Sequence, residues 1–189
     1  FKDNQIKDNQ IKDNQIKDIK INKTKKDAYI IFTSGSSGLP KGVRISRSAL
    51  DHYILWIQKK IFNEKNIVCS QFPSIGFDLS VADIFGTLLK FGTLIPFKKK
   101  LDFFNIDEIL KKNNVSHLIC VPSLAEIILS EGRNNEKHCL KKIRKIFFCG
   151  EVLKKITLKK IFNINNKINV INAYGPTEAT VSCTFKRLN

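Results

Sequence analysis

A run of hydroxyl-bearing residues and glycines, followed by one lysine, is the segment of this sequence best suited to chemistry. It consists of Thr33, Ser34, Gly35, Ser36, Ser37 and Gly38, with Lys41 three residues further on. Glycines can take positive φ and small side chains leave backbone N–H groups open, so such a loop can wrap around an anion. The lysine adds a mobile positive charge. Because Gly42 follows Lys41, the Walker pattern GxxxxGK[ST] does not fit. The segment predicts a phosphate-binding loop of another kind.

A second group of polar residues follows a short apolar segment near the C-terminal end of the sequence. It consists of Asn172, Ala173, Tyr174, Gly175, Pro176, Thr177 and Glu178. Tyr174 offers a flat ring on which a base can stack, and Gly175 with Pro176 favours a turn. Glu178 offers a hard oxygen ligand suited to Mg²⁺. Taken alone, these residues also fit an ordinary turn with a solvated glutamate.

Asp78 stands at the start of an apolar segment with helical spacing, and two interpretations of it remain open. In one, Asp78 is the N-cap of the helix, which is a common structural feature. In the other, it is a partly buried carboxylate that needs a cationic partner such as an ammonium group. Asp83 lies further along the same segment and is predicted to be structural or solvated.

Strands and helices that alternate along the sequence must position these groups. Apolar segments rich in β-branched and aromatic residues predict a buried strand over Tyr29–Phe32 and further strands over Ile67–Phe72, Thr93–Pro96, Ser116–Val121, Ile143–Cys149 and Asn169–Asn172. Helices are predicted over Ser48–Ile61, from about Asp78, and over Ile106–Lys112, Ser123–Ser130 and Thr157–Phe162. This alternation predicts an α/β fold with a largely parallel sheet and helices on its faces. Because ligands bind at the carboxyl ends of parallel strands, loops 33–38, 73–78, 150–151 and 173–178 are expected to share one cleft.

The composition limits the classes of function. The formal net charge is +16, but lysines occur in every region, and no helix-turn-helix, zinc-finger or RNP-type pattern accompanies them. We therefore predict no specific nucleic acid partner. No apolar segment is long enough to insert in a membrane and no signal peptide opens the sequence, which predicts a cytoplasmic protein. Five cysteines without CxxC spacing predict free thiols.

The first 26 residues are predicted to be separate from the globular part of the chain. KDNQI occurs three times between Lys2 and Ile16, and one isoleucine per repeat cannot offset the entropy cost of ordering the others. The segment predicts a disordered low-complexity tail, with a tether or interaction tail as the alternative. Residues 27–189 are predicted to form part of a domain. The sequence has no methionine, so we expect it to be a fragment, with a processed chain as the alternative.

The phosphate loop YIIFTSGSSGLPKGV and the turn NAYGPTEAT together resemble the signatures of the adenylate-forming, or AMP-binding, superfamily. The resemblance covers residues 27–189 and implies ATP and Mg²⁺ as cofactors and part of a large N-terminal domain as the fold. It implies that the ATP phosphates are held by Thr33, Ser34, Gly35, Ser36, Ser37, Gly38 and Lys41. It implies that the adenine side is held by Asn172, Ala173, Tyr174 and Gly175, with Thr177 near the phosphates and Glu178 binding Mg²⁺. Lys41, Thr177 and Glu178 are the implied catalytic residues.

Within this superfamily, FDLSVADI, VPSLAE and FFCGEVL resemble amino-acid adenylation domains, and D-alanine–D-alanyl carrier protein ligases in particular. The resemblance implies that Asp78 binds the substrate ammonium group. It implies that Cys149, with Gly150 and Glu151, forms the substrate pocket, Cys149 favouring D-alanine. A buried strand cysteine that acts as a small apolar residue explains Cys149 equally well. The alternatives are a nonribosomal peptide synthetase adenylation domain for another amino acid, or a non-catalytic nucleotide-binding remnant.

The implied reaction is attack of an amino-acid carboxylate on the α-phosphorus of ATP. The aminoacyl group then passes to the phosphopantetheine thiol of a carrier protein. Members of this superfamily carry, after the turn, a ribose-binding aspartate and a lid domain with a catalytic lysine. Here residues 179–189 follow the turn, and none of them is assigned those roles. We expect the 189-residue chain, taken alone, to lack adenylation activity.

Overall fold

The computed structural model describes residues 26–34, 39–97, 105–131 and 138–188. The strands are β1 (Asp27–Ser34), β2 (Pro40–Ser46), β3 (Val68–Gln71), β4 (Thr93–Pro96), β5 (His117–Cys120), β6 (Lys145–Phe148), β7 (Asn169–Tyr174) and β8 (Thr184–Leu188). The helices are α1 (Arg47–Lys60), α2 (Leu79–Leu88), α3 (Ile106–Lys112), α4 (Pro122–Glu131) and α5 (Lys155–Ile164). The KDNQI repeat and residues 35–38 of the phosphate loop lie outside the described residues, and the domain boundary near residue 26 stays a prediction.

Six of the strands form one sheet in the order β4-β3-β5-β6-β7-β8. The first five strands are parallel to one another, and β8 is antiparallel to β7. Strands β5 and β6 are buried along their whole length, as expected for central strands covered on both faces. The predicted α/β fold with a largely parallel sheet is therefore confirmed.

Helices cover both faces of this sheet because alternate residues of each strand point to opposite sides. On one face, Phe147 of β6 belongs to an apolar cluster with Ile57 of α1 and Ala82 of α2. On the other face, the neighbouring Ile146 belongs to a cluster formed with α3, α4 and α5, which includes Ile161. Helix α1 begins at Arg47 because the Ser46 hydroxyl accepts a hydrogen bond from the Ala49 N–H at 3.2 Å.

The prediction that Tyr29–Phe32 is a buried strand of the parallel sheet is wrong. This segment belongs to β1, which pairs antiparallel with β2 in a separate two-stranded hairpin. The hairpin is covered on one side only, so Phe32 is 70% exposed although Val43 of β2 is buried. The apolar run indicated a strand correctly but not its partner, and β2 was not predicted because Pro40 and Gly42 are poor strand formers.

Strand β8 was also missing from the predicted elements. Its residues are mostly exposed, as expected for an edge strand, and its sequence TFKRL has no continuous apolar run. None of the described helices combines the length and the apolar character needed to cross a membrane.

Candidate active site

A cavity of about 440 Å³ lies beyond the carboxyl ends of the parallel strands. Its wall includes Asp78 after β3, Cys149, Gly150 and Glu151 after β6, and Gly175 after β7. Three of the four predicted site loops therefore meet at one cavity. They meet because parallel strands present their carboxyl ends at the same edge of the sheet.

Asp78 lines this cavity and occupies the N-cap position of α2. It precedes α2, but its carboxylate makes no capping hydrogen bond to the helix. Among the described residues, no lysine, arginine or histidine forms an ion pair with it. Burial raises the pKa of Asp78, and the nearby Glu178 carboxylate raises it further, whereas the Thr177 hydroxyl lowers it. A positively charged ligand group would favour the ionised carboxylate and so oppose both effects that raise this pKa.

Asp83, one and a half turns further along α2, is fully buried. Neither of its carboxylate oxygens has a hydrogen-bond partner within the described parts of the chain. Burial raises the pKa of Asp83 to about 8, so the carboxyl group is mainly protonated at neutral pH. Of the two predicted alternatives for Asp83, the structural one holds and the solvated one is wrong.

Cys149 brings a thiol into the same cavity. Its side chain is buried, and Sγ lies 3.7 Å from the carbonyl oxygen of Val181, which also lines the cavity. Burial and the neighbouring Asp78 raise the pKa of Cys149 to about 11. The thiol therefore remains neutral and acts as a small, weakly polar part of the wall.

Two glycines allow the close packing of this wall. Gly150 has φ of 97°, a backbone conformation that favours glycine. At Gly175, a Cβ atom would lie 2.5 Å from Cα of Ser182 and 2.8 Å from the backbone nitrogen of Cys183. The turn after β7 can therefore approach the segment 181–183 only because residue 175 has no side chain.

Glu151 has a structural partner that the sequence did not indicate. Its two carboxylate oxygens accept hydrogen bonds from the backbone N–H and the hydroxyl of Ser123, both at 2.9 Å. Ser123 is the second residue of α4, so the carboxylate lies at the positive end of that helix. A glutamate 28 residues away in the sequence gives no local capping signal.

The turn after β7 presents the second group of predicted residues. Tyr174 is 70% exposed, as a ring available for stacking must be, and Thr177 begins a short 3-10 turn that includes Glu178. Ala173 is buried in the apolar cluster beneath the turn. The Asn172 Oδ1 atom is buried and has no hydrogen-bond partner among the described residues.

The hairpin brings the phosphate loop towards the same turn. Thr33 of β1 pairs directly with Lys41 of β2, and Ser34 pairs with Pro40. Strand β2 also contacts the 3-10 turn that carries Thr177 and Glu178. Gly35, Ser36, Ser37 and Gly38 lie outside the described residues, so the structure places the base of the phosphate loop and not its tip.

One further group of potential metal ligands lies away from the cavity. Asp107, His138 and Cys139 offer ligand atoms within 4.8 Å of one another. The His138 Nδ1 lone pair already accepts a hydrogen bond from the Leu140 N–H at 3.1 Å, and Asp107 Oδ1 accepts one from the Cys139 N–H at 2.7 Å. These bonds cap a short 3-10 helix, which accounts for the cluster without a metal. All five cysteines are free, as predicted.

Comparison with known sequences identifies the family of this chain. The sequence profile of a family described as AMP-binding enzyme matches residues 2–189. The chain therefore belongs to the AMP-binding enzyme family, and the resemblance inferred from its motifs is confirmed.

The similar proteins include two ligases named for D-alanine and one adenylation domain of known structure. A D-alanine–D-alanyl carrier protein ligase of Bacillus cytotoxicus is 38% identical over 168 residues, and one of Listeria monocytogenes serotype 4b is 36% identical over 165 residues. Each alignment covers 86% of this chain and 32% of the relative. The crystal structure of the Vibrio cholerae adenylation domain AlmE in complex with glycyl-adenosine-5'-phosphate has a TM-score of 0.76 and 31% identity, covering 85% of this chain and 30% of that one. The chain thus spans about a third of the length of these relatives.

Proposed function

We propose that this chain supplies the nucleotide and amino-acid sites of an ATP-dependent, AMP-forming ligase. The enzyme activates an amino acid as its adenylate and transfers it to a carrier protein. The observation that carries the proposal is the Asp78 carboxylate, which faces the cavity without an ion-pair partner among the described residues and lies beside Thr177 and Glu178.

The geometry supports distinct roles for the residues around the cavity. Asp78 holds the substrate ammonium group, which orients the substrate carboxylate towards the turn at Thr177. Attack of that carboxylate on the α-phosphorus of ATP forms the adenylate and releases pyrophosphate. Lys41 and the loop 33–38 hold the β- and γ-phosphates, and catalysis consists of positioning and neutralising charge.

Magnesium and adenine have suitable partners at the turn. Glu178 is exposed and offers the carboxylate oxygen that Mg²⁺ prefers, and the ion would neutralise phosphate charge. Tyr174 offers the ring for stacking. The orphaned Asn172 Oδ1 offers an acceptor for the exocyclic amine of adenine.

D-Alanine is the substrate that we propose. The ligases of Bacillus cytotoxicus and Listeria monocytogenes are named for it, and the buried thiol of Cys149 leaves room for a small side chain. An adenylation domain for another small amino acid is the second candidate, because the AlmE structure contains a glycyl adenylate. A phosphopantetheinylated carrier protein is the proposed acceptor in both cases.

Calorimetric titration of the 189-residue chain with ATP, with and without Mg²⁺, and with AMP tests the nucleotide site. Lys41→Ala should weaken ATP binding about tenfold or more and leave AMP binding nearly unchanged, because Lys41 contacts only the outer phosphates. Glu178→Ala should weaken ATP binding only when Mg²⁺ is present. Lys159→Ala, which removes an exposed lysine of α5, is the matched control.

Two results would contradict the nucleotide site. One is an ATP affinity that none of the three substitutions changes. The other is steeply salt-dependent binding of any polyanion, unaffected by Lys41→Ala and Glu178→Ala, which is the behaviour of a non-specific nucleic-acid binder.

A further inference from the structure

The hydrogen bonds between Glu151 and Ser123 join the two sides of the cavity. On one side, Cys149 and Gly150 follow β6; on the other, Val121 and Leu124 belong to the start of α4. Glu151 extends from the first side and binds Ser123 of the second with both carboxylate oxygens. The two segments begin where the paired strands β5 and β6 end, since Cys120 pairs with Phe148, and the Glu151–Ser123 hydrogen bonds connect them beyond that last pair.

The packing around this link is close. Gly150, at φ 97°, faces Val121, whose Cγ1 would lie 3.4 Å from a Cβ atom placed on the glycine. Val121, Leu124 and Gly150 all line the cavity, so the position of the first turn of α4 relative to Gly150 helps to set the cavity width. A charge-assisted pair of hydrogen bonds at a helix N-terminus is suited to fix that position.

We infer that Glu151 is a positioning residue that sets the width of the cavity through Ser123, without itself contacting the amino acid. This inference deepens the proposed function, since it concerns the pocket that receives the aminoacyl group. It gives Glu151 a role different from the direct substrate contact that its motif implies.

Substitutions at the two residues separate positioning from direct contact. Glu151→Gln keeps an oxygen for the Ser123 N–H and an amide that donates to the Ser123 hydroxyl, but it loses the negative charge. Ser123→Ala removes one of the two hydrogen bonds. It leaves the Glu151 side chain intact, so any direct contact between Glu151 and a substrate is unchanged. A positioning role predicts that Glu151→Gln preserves the pocket and that Ser123→Ala reproduces part of the effect of Glu151→Ala.

Glu126 provides the matched control. Its carboxylate also links α4 to the α5 region, since Oε1 accepts a hydrogen bond from the Thr157 hydroxyl at 2.9 Å and lies 3.3 Å from Lys154 Nζ. It does not line the cavity. Glu126→Ala therefore removes a comparable carboxylate link between α4 and a neighbouring segment, but at a position that does not line the pocket.

The first measurement needs no ligand. The rate of Cys149 alkylation by iodoacetamide, followed by peptide mass spectrometry, reports how open the cavity is. Glu151→Ala should raise this rate about threefold or more, while Glu151→Gln and Glu126→Ala should stay within about twofold of the wild type. Combining Ser123→Ala with Glu151→Ala should add little to Glu151→Ala alone. An unchanged rate in Glu151→Ala would overturn the inference.

The second measurement uses a non-hydrolysable D-alanyl-adenylate analogue in calorimetric titration. Glu151→Ala should weaken its binding about tenfold, and Glu151→Gln should restore binding to within about threefold of the wild type. If Glu151→Gln loses as much affinity as Glu151→Ala while Ser123→Ala has no effect, Glu151 contacts the ammonium group directly and the inference is wrong. If the wild-type chain binds no analogue, the proposed function fails, and the alkylation rates still decide the positioning role.

Discussion

Lys145 and Glu64 form an ion pair at the amino end of β6, with Lys145 Nζ 2.8 Å from Glu64 Oε1. Lys145 is almost fully buried and also donates hydrogen bonds to the Ile61 carbonyl oxygen at 2.5 Å and to Asn63 Oδ1 at 3.1 Å. Four residues later, beyond the carboxyl end of the same strand, Cys149 enters the cavity. The ion pair and the proposed substrate site therefore lie at opposite ends of β6.

Removing the Lys145 charge should destabilise the fold. Lys145→Met keeps most of the aliphatic chain but leaves the buried carbonyl of Ile61 without its donor and Glu64 without its ion-pair partner. We expect a loss of about 3 kcal/mol in the free energy of unfolding, measured by urea denaturation. Lys159→Met on the exposed surface of α5 should change it by less than about 0.5 kcal/mol. Equal effects of the two substitutions would contradict a stabilising role for the pair.

Stability should fall on acidification because of His117. Burial, partly offset by the Glu64 carboxylate, lowers the pKa of His117 to about 4. The unfolded chain binds a proton at this residue below about pH 6.5 and the folded chain does not, so stability is full above pH 6.5 and is lost as the pH falls towards 4. Between pH 7 and pH 5 the loss from His117 is about 2 kcal/mol.

Comparison with His117→Asn isolates this contribution. Burial also lowers the pKa of His138, which adds a loss of the same sign in both proteins. Urea denaturation at several pH values should therefore show a shallower pH dependence in His117→Asn than in the wild type. Identical slopes would mean that His117 is not held neutral in the folded state.

Gly175 should not tolerate a side chain. In Gly175→Ala the added Cβ would meet the backbone of Ser182 and Cys183, so the turn must move away from segment 181–183. We expect a loss of about 1–3 kcal/mol in the free energy of unfolding together with weaker nucleotide binding. Gly76→Ala is the control, because its nearest neighbour would be Ser74 Oγ at 3.7 Å. A Gly175→Ala protein as stable as Gly76→Ala would show that the close approach is not required.

The Cys149 thiol should react slowly at neutral pH. With a pKa of about 11, it has about 100-fold less thiolate than an ordinary cysteine. Its alkylation rate should rise about tenfold per pH unit between pH 7 and 9.5, whereas Cys183 is exposed and should be modified first. Peptide mass spectrometry resolves the two sites. Faster modification of Cys149 than of Cys183 would contradict a buried, neutral thiol in the cavity wall.

The sequence predicted the elements whose identity depends on local patterns. The segment Ile106–Lys112 is a helix with the predicted bounds, and Thr93–Pro96 is a strand with the predicted bounds. Residues at the carboxyl ends of parallel strands could be assigned to one cleft because that placement follows from the sheet itself. Asp78 could therefore be placed beside Gly150 and Glu151 from the sheet alone, whereas the place of Cys149 in the pocket was implied only by the family resemblance.

Features that depend on distant partners could not be predicted. The run Tyr29–Phe32 indicates a strand, but nothing local states that it pairs with β2 and leaves Phe32 exposed. Lys145 is a charged residue at the start of a buried strand, where it is tolerated because Glu64, Ile61 and Asn63 supply its partners. The hydrogen bonds between Glu151 and Ser123 could not be predicted for the same reason. The two residues are 28 positions apart, and only the fold brings them together.

The central claim is that Asp78 selects a ligand that carries an ammonium group. The control variant for this claim is Asp83→Asn. Asp83 lies on α2, the helix that begins directly after Asp78, but it is fully buried and does not line the cavity. Asp83→Asn removes a carboxyl group that lies outside the cavity and should leave the selection unchanged.

The most direct test is calorimetric titration of the chain with two non-hydrolysable adenylate analogues, one D-alanyl and one propionyl, which differ only by the amino group. The wild type should bind the D-alanyl analogue at least about 30-fold more tightly, and Asp78→Asn should reduce this preference to within about threefold. Equal binding of both analogues by the wild type, or an equal loss for both in Asp78→Asn, would contradict the account.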